Sequence, residues 1–169
     1  MIDTRKIVGL EIVIFSVLAI IMLASLFNVH PESYVTEKRG EYYESLLFST
    51  EVIRYPANAT IINTTEIIIG FVADPWNLNF GAMPVGGSSK RFMILNNERG
   101  EEAKIRLVAK GDIEPYINFS KNGFIIGRKE NTTVDIEFHG DKEGKYRGEI
   151  DIYIIRPKSI LGNLLMWIV

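Results

Sequence analysis

The sequence predicts an all-β fold, an antiparallel β-sandwich, preceded by one N-terminal transmembrane α-helix. Residues 7–27 form one apolar run. From residue 46 onward, short alternating or apolar runs are separated by turn residues about every 8–12 positions, as in sandwiches and barrels. About 140 of the 169 residues follow the apolar run, enough for the core of one globular domain.

The apolar run is long enough to cross a membrane. Its 21 residues contain one ionisable side chain, Glu11. At about 1.5 Å per residue they span a hydrocarbon core of roughly 30 Å. A cleaved signal has a shorter apolar core and a small-residue cleavage site, whereas Asn28-Val29-His30-Pro31 follows here. We therefore favour a retained anchor over a cleaved signal.

Flanking charges favour a cytoplasmic N-terminus. Arg5 and Lys6 oppose Asp3 before the run, while the far flank mixes acidic and basic residues. Because excess basic charge stays cytoplasmic, we expect a single-pass cell-membrane protein whose C-terminal domain is extracytoplasmic. The predicted segments are a cytoplasmic tail (1–6), the transmembrane helix (7–27), a stalk (28–45), a β-sandwich ectodomain (46–157) and an apolar C-terminal tail (158–169).

Glu11 requires an explanation, because a carboxylate inside a bilayer is costly unless it is protonated, paired or near an interface. It lies within about 8 Å of the cytoplasmic end, where head groups or Lys6 can solvate it. The alternative is a partner helix that supplies a positive charge. Gly9-Leu10-Glu11 followed by the apolar run resembles the membrane helix of type IV pilin-like filament subunits, and this resemblance implies a surface filament or its membrane base.

Composition argues against several functions. The net charge of −2 supplies no basic surface for nucleic acid. The chain has no cysteine, and its two histidines, His30 and His139, are far apart in sequence. Ser88 and Ser89 have no neighbouring histidine in the sequence to activate them. We therefore expect no enzymatic activity, no cofactor, no metal site and no nucleic-acid partner.

Four Asn-x-Ser/Thr sequences are candidate glycosylation sites, as expected of a glycoprotein exported from the cell. The alternative is that these residues serve turns, which also favour Asn, Ser and Thr. The candidate acceptors are Asn58, Asn63, Asn118 and Asn131.

Nine strands are predicted in the ectodomain. Their ranges are 46–55, 60–72, 78–80, 91–96, 103–110, 117–119, 123–126, 132–138 and 146–155. In three of them the alternation separates an inward face from a solvated face. The inward residues are predicted to be Ile105, Leu107 and Ala109; Val134, Ile136 and Phe138; and Ile150, Ile152 and Ile154.

Charges on these strands suggest two pairings. A hairpin at residues 139–144 would bring Asp135 and Glu137 near Arg147, Glu149 and Asp151, and such facing carboxylates raise the possibility of a calcium site. If the third strand lies beside the sixth, the basic residues at positions 104 and 106 pair with these acids instead. Cross-strand ion pairs account for the acids without a metal, and we favour that interpretation.

From residue 78 the chain resembles the ASH/Hydin and major-sperm-protein group of immunoglobulin-like domains. The resemblance rests on the sequence LNFGAMPVG at 78–86, the strand RFMILNN at 91–97 and GKYRG at 144–148, and it covers residues 73–157. It implies an immunoglobulin-like sandwich that binds other proteins or builds assemblies without catalysis of its own. Fold likeness alone does not fix a function.

The C-terminal tail is almost wholly apolar, yet its last eleven residues span only about half a bilayer as a helix. Three arrangements stay open: packing on the sandwich, insertion into the outer membrane interface, or docking on a partner subunit. The residues expected to make this membrane or partner contact, together with Glu11, are Ile160, Leu161, Leu164, Leu165 and Trp167.

Together these features predict a membrane-anchored extracytoplasmic binding or structural module, an accessory subunit of a membrane or cell-envelope protein complex. The expected partners are membrane lipid, other membrane or envelope proteins, and a second copy of the chain in a homo-oligomer. The alternative function is a subunit of a pilin-like surface filament or of its membrane base.

Overall fold

The computed structural model describes residues 34–64 and 76–168. Within these two ranges no helix is long and apolar enough to cross a membrane. The predicted transmembrane helix and Glu11 lie outside the described residues. The strands are β1 (Arg39–Glu44), β2 (Phe48–Ile62), β3 (Leu78–Pro84), β4 (Ser88–Asn96), β5 (Ala103–Gly111), β6 (Ile117–Phe119), β7 (Phe124–Ile126), β8 (Asn131–His139) and β9 (Gly144–Pro157). A 3-10 helix (Glu114–Tyr116) precedes β6, and helix α1 (Ile160–Leu165) follows β9.

The strands form two sheets, which confirms the predicted all-β sandwich. The large sheet has the order β1-β2-β9-β5-β7, with β3 also paired to β2, and the small sheet has the order β4-β8-β6. All pairs are antiparallel except β2 with β3. Both core clusters combine residues of the two sheets, such as Ile150 with Phe138 and Ile152 with Val134.

β2 is one strand where the sequence predicted two. Pro56-Ala57-Asn58 resembles a turn, because Pro and Asn favour turns. In the structure Arg54 is the last β2 residue paired with β1, and Ala57 is the first paired with β3. Pro56 lies in the gap between these partners, where one edge of β2 has no hydrogen-bonded neighbour. Prolines are tolerated at such positions because they donate no backbone hydrogen bond. β2 therefore continues to Ile62 and serves both neighbours in turn.

Burial confirms the alternation predicted for β5 and β8. Leu107 and Ile136 point into the core, while Lys104 and Asp135 on the opposite faces keep part of their surface exposed. The same prediction was wrong for one face of β9. β9 lies between β2 and β5, and both of its faces are buried over most of its length, including Glu149 and Asp151.

Two predicted pairings were also wrong. β8 and β9 follow each other in sequence but belong to different sheets, so they form no hairpin. β5 pairs with β9 and β7 and not with β8, which separates Lys104 and Arg106 from Asp135 and Glu137. The chain crosses between the two sheets at residues 140–143, a common connection in sandwiches built of two antiparallel sheets.

The segment predicted as a stalk contains a strand. Residues 39–44 form β1, paired antiparallel with β2 from Arg39 opposite Arg54 to Glu44 opposite Ser49. β1 contains few apolar residues. The hydrophobic pattern of the sequence therefore did not predict a strand here. Residues 28–33 of the predicted stalk lie outside the described part of the chain.

An aromatic group fills one end of the core. Phe138 is fully buried, and its ring centroid lies 5.7 Å from those of Phe80, Tyr116 and Tyr146. These rings come from both sheets and from the 3-10 helix, so this group joins three parts of the fold. Tilted aromatic pairs at this distance add to the stabilisation from burial.

We predict that Phe138→Ala lowers the free energy of unfolding of the full chain in detergent by about 3–5 kcal/mol, because it opens a cavity among these rings. Phe92→Ala is the matched control, since Phe92 is 72% exposed on the neighbouring strand. Its change should stay within about 0.5 kcal/mol. Urea unfolding followed by circular dichroism measures both, and equal losses would contradict the assigned core.

Candidate functional site

A group of buried charges joins the three central strands of the large sheet. Asp151 of β9 lies between Lys110 of β5, whose Nζ is 2.6 Å from Asp151 Oδ2, and Arg54 of β2, whose Nε is 3.9 Å from the same oxygen. Arg54 Nη2 also lies 3.1 Å from Glu41 Oε2 on β1. Asp151 is fully buried and the Arg54 side chain is 4% exposed. One carboxylate therefore links β2, β9 and β5 through charge.

Glu149 extends this ionic cluster toward the N-terminal segment. Its Oε1 lies 3.6 Å from Lys110 Nζ, and the Val35 backbone N–H donates to its Oε2 at 3.0 Å. The two fully buried acids, Glu149 and Asp151, both pair with Lys110, and Asp151 also lies near Arg54. Because buried charges are tolerated when they are paired, we assign this cluster to the fold.

Lys110 and Tyr153 titrate at higher pH than usual because of this environment. Burial acts to lower the pKa of Lys110, but the hydrogen bond and negative charge of Asp151 outweigh it, and the pKa is raised. Burial raises the pKa of Tyr153; Lys110 acts to lower it and Asp151 to raise it, and the net change is upward. Both groups therefore keep their protons to higher pH in the folded state than in the unfolded state.

The acids of the small sheet have a different partner from the predicted ones. Lys90 of β4 lies 3.8 Å from Asp135 of β8, with both side chains about half exposed. This is the solvated ion pair that was expected, with Lys90 in place of Lys104 and Arg106. In the described ranges no group of three or more His, Cys, Asp or Glu residues is placed to hold a metal ion.

All four candidate glycosylation acceptors are exposed. Asn58 and Asn63 lie on and just after β2, Asn118 lies on β6, and Asn131 begins β8. Asn58 lies next to an irregularity in the pairing of β2 with β3. Their exposure makes these side chains accessible to modification, and their glycosylation stays a prediction.

Helix α1 is fixed to one end of the sandwich by several contacts. The Ser159 hydroxyl caps the helix by accepting from the Gly162 N–H at 3.1 Å, and the Lys158 N–H donates to the Leu47 carbonyl at 2.8 Å. A Cβ on Gly162 would lie 2.6 Å from the Leu47 carbonyl oxygen, so only glycine fits this approach. Met166 is 2% exposed and is the buried side chain at the other end of the helix.

The outward side of α1 is apolar, the reverse of an ordinary surface helix, which turns its apolar side to the core. We use the name α1 surface for these exposed apolar residues together with Leu46, which precedes the Leu47 carbonyl that contacts Lys158. The fraction of each side chain exposed ranges from 49% for Leu161 to 83% for Ile160. The α1 surface consists of Leu46, Ile160, Leu161, Leu164, Trp167 and Ile168.

The structure brings together four of the five tail residues predicted to make contacts and leaves Leu165 half-buried. The prediction missed Leu46 and Ile168. Leu46 belongs to the turn that Ser45 closes, where the Ser45 N–H and hydroxyl both donate to the Phe48 carbonyl. No local pattern shows that this turn lies beside the tail, so Leu46 had no signal in the sequence.

An apolar surface of this kind can bind by excluding water, and it offers no group for chemistry. Contiguous exposed apolar patches mark binding surfaces for proteins or membranes. Comparison of the chain with models of known protein families finds no match, and no curated protein matches it either. The class that the fold and this surface support is a β-sandwich that presents an apolar contact helix.

The ionic cluster predicts a loss of stability in alkali. Because Lys110 and Tyr153 have raised pKa values in the folded state, their stabilisation is complete below about pH 10 and is lost as the pH rises through the folded-state values. Lys110→Met should cost about 1.5–3 kcal/mol at neutral pH and remove the Lys110 part of this alkaline decline, while the Tyr153 part remains. Urea unfolding of the full chain in detergent across this pH range measures both effects.

Lys90→Met is the matched control for this prediction, since Lys90 pairs with Asp135 at 3.8 Å on an exposed face. Its cost should stay below about 1 kcal/mol, with the alkaline decline unchanged. If Lys110→Met and Lys90→Met behave alike, the buried pair does not contribute as assigned.

The close approach at Gly162 gives a further prediction. In a free helix Gly→Ala is favourable by about 1 kcal/mol, but here the new Cβ meets the Leu47 carbonyl and Pro157. We expect Gly162→Ala to loosen α1, seen as faster hydrogen exchange at residues 163–168. Gly100→Ala is the control, because no atom lies within 4 Å of its added Cβ. Unchanged exchange in Gly162→Ala would contradict the docking of α1.

Proposed function

We propose that this chain is a membrane-anchored, extracytoplasmic binding or structural module and an accessory subunit of a membrane or cell-envelope complex. The observation that carries the proposal is the α1 surface, an apolar patch held on the sandwich by the Ser159 cap, the Gly162 approach and buried Met166. The apolar run at 7–27 supports the membrane location. The proposal assigns the chain no catalysis and no cofactor.

The strand order supports an immunoglobulin-like fold as the finer description. Such a sandwich places strands A, B, E and D in one sheet and C, F and G in the other. In this scheme β4, β8 and β6 correspond to B, E and D, and β5 and β9 correspond to C and F. β2 then occupies the place of G, beside F. The seventh strand thus precedes the others in the chain. β3 comes before β4 as A comes before B, but it pairs parallel with β2 and so lies in the sheet of C, F and G.

This arrangement supports the resemblance to the ASH/Hydin and major-sperm-protein group. LNFGAMP of that resemblance coincides with β3, and RFMILN lies within β4. The group is known for binding and assembly, and we extend that role to this chain as part of the proposal. The expected partners are membrane lipid, other envelope proteins or a second copy of the chain.

The alternative, a pilin-like filament subunit, depends on Glu11 within the apolar run, which lies outside the described residues. The described domain adds no separate support for it. We therefore retain the accessory subunit as the favoured function, with glycosylation at the four exposed acceptors as a further property of an extracytoplasmic domain.

The proposed location can be tested with single cysteines, because the chain has none of its own. Thr4→Cys lies before the apolar run, and Ser88→Cys lies on an exposed position of β4. In intact cells we expect a membrane-impermeant maleimide to label Ser88→Cys and to label Thr4→Cys only after permeabilisation. The unsubstituted chain is the blank. The reverse pattern would contradict the orientation, and a chain released by alkaline carbonate would contradict the anchor.

A further inference from the structure

The N-terminal segment and the end of α1 both contact one face of the large sheet. The Val35 N–H binds the Glu149 carboxylate, and Lys104 Nζ lies 3.4 Å from the Trp167 carbonyl oxygen. Glu149 and Lys104 both belong to the side opposite the core, because Ile150 and Ile105 beside them point inward. The chain thus enters the domain on the face where α1 ends.

These two contacts lie on the same face of the sheet, separated along β9. Lys104 pairs with Ile155 of β9, six positions after Glu149. At about 3.3 Å per residue the two contacts are roughly 20 Å apart along the strand. The end of α1 and the point where the chain enters therefore share this face, about 20 Å apart along the strand.

A short tether limits how far this face can be from the membrane. Residues 28–33 separate the apolar run at 7–27 from Tyr34. Six residues of fully extended chain span at most about 20 Å. A membrane that holds 7–27 therefore lies within about 20 Å of Tyr34, where the described domain begins.

The chemistry of the α1 surface suits a lipid interface. Trp167 is 78% exposed beside three leucines and two isoleucines. Lys158 precedes the helix and Lys104 contacts the Trp167 carbonyl just after it; the nearby acid, Glu44, is paired with Lys158 at 3.0 Å. Trp and Lys at the edge of an apolar helix face are typical of helices that lie in the membrane interface.

We propose that the α1 surface docks on the lipid of the same membrane that carries residues 7–27. This inference rests on the proposed membrane anchor and names lipid as the binding partner of the α1 surface. A protein partner or a second copy of the chain would occupy the same surface in a different way.

The test uses the full chain reconstituted in phosphatidylcholine vesicles. The chain has two tryptophans, so Trp76→Phe leaves Trp167 as the single reporter and Trp167→Phe leaves Trp76. Interfacial helices lie about 5–10 Å into the headgroup and acyl boundary, so lipids brominated near the carbonyl end should lower Trp167 emission at least about twofold. Trp76 emission should change less than Trp167 emission.

Matched charge substitutions separate docking from anchoring. Leu164→Glu, on the α1 surface, should abolish the quenching of Trp167 by brominated lipid. Ile94→Glu should leave it unchanged, because Ile94 is 65% exposed, close to the 69% of Leu164, but lies on the small sheet. Both variants should still float with the vesicles, and near-ultraviolet circular dichroism should show that both remain folded.

Three results would overturn the inference. In the first, aqueous acrylamide quenches Trp167 and brominated lipid does not, so the surface is free in water. In the second, protection of Trp167 disappears as the lipid-to-protein ratio rises, so a second copy covers it. In the third, the chain fails to float with the vesicles, which overturns the membrane anchor itself and with it the docking. Flotation without lipid quenching leaves the proposed anchor intact and rejects only the docking.

Discussion

The fold depends on one carboxylate, Asp151, and on the strand that carries it. β9 is the middle strand of the large sheet, and Asp151 faces Lys110 on one neighbour and Arg54 on the other. Loss of either cation leaves a negative charge without water, which is costlier than any solvated ion pair. Because Glu149 also binds the Val35 N–H, the same charges secure the segment that leads into the domain.

That central strand also positions the helix that follows it. β9 runs to Pro157, and α1 begins three residues later beside the turn between β1 and β2. The Leu47 carbonyl accepts from Lys158 and closely approaches Gly162, so the helix is fixed to the large sheet at both the turn and the strand. An apolar surface on such a support is already ordered before it binds, which lowers the entropy cost of docking.

The alternation of apolar and polar residues predicted the buried side chains correctly where one face of a strand is solvated, as in β8. It failed where both faces of the strand are covered. Glu149 and Asp151 resemble solvated residues because Arg54 and Lys110, which neutralise them, are distant in sequence. β2 was divided in the prediction because Pro56 and Asn58 suit turns. The strand accommodates these residues because it changes partner there from β1 to β3. The tail could be recognised as apolar from the sequence, but which of its residues face outward depends on Gly162 and Leu47.

A central strand held by buried charge is thus connected to a docked helix with an apolar outer side. Native-state hydrogen exchange of the full chain in lipid nanodiscs tests this connection directly. We predict the slowest exchange at β9, intermediate exchange at residues 163–168, and the fastest exchange at the short edge strands β6 and β7. Exchange at 163–168 as fast as in an unstructured peptide, or in β9 as fast as in β6, would contradict it.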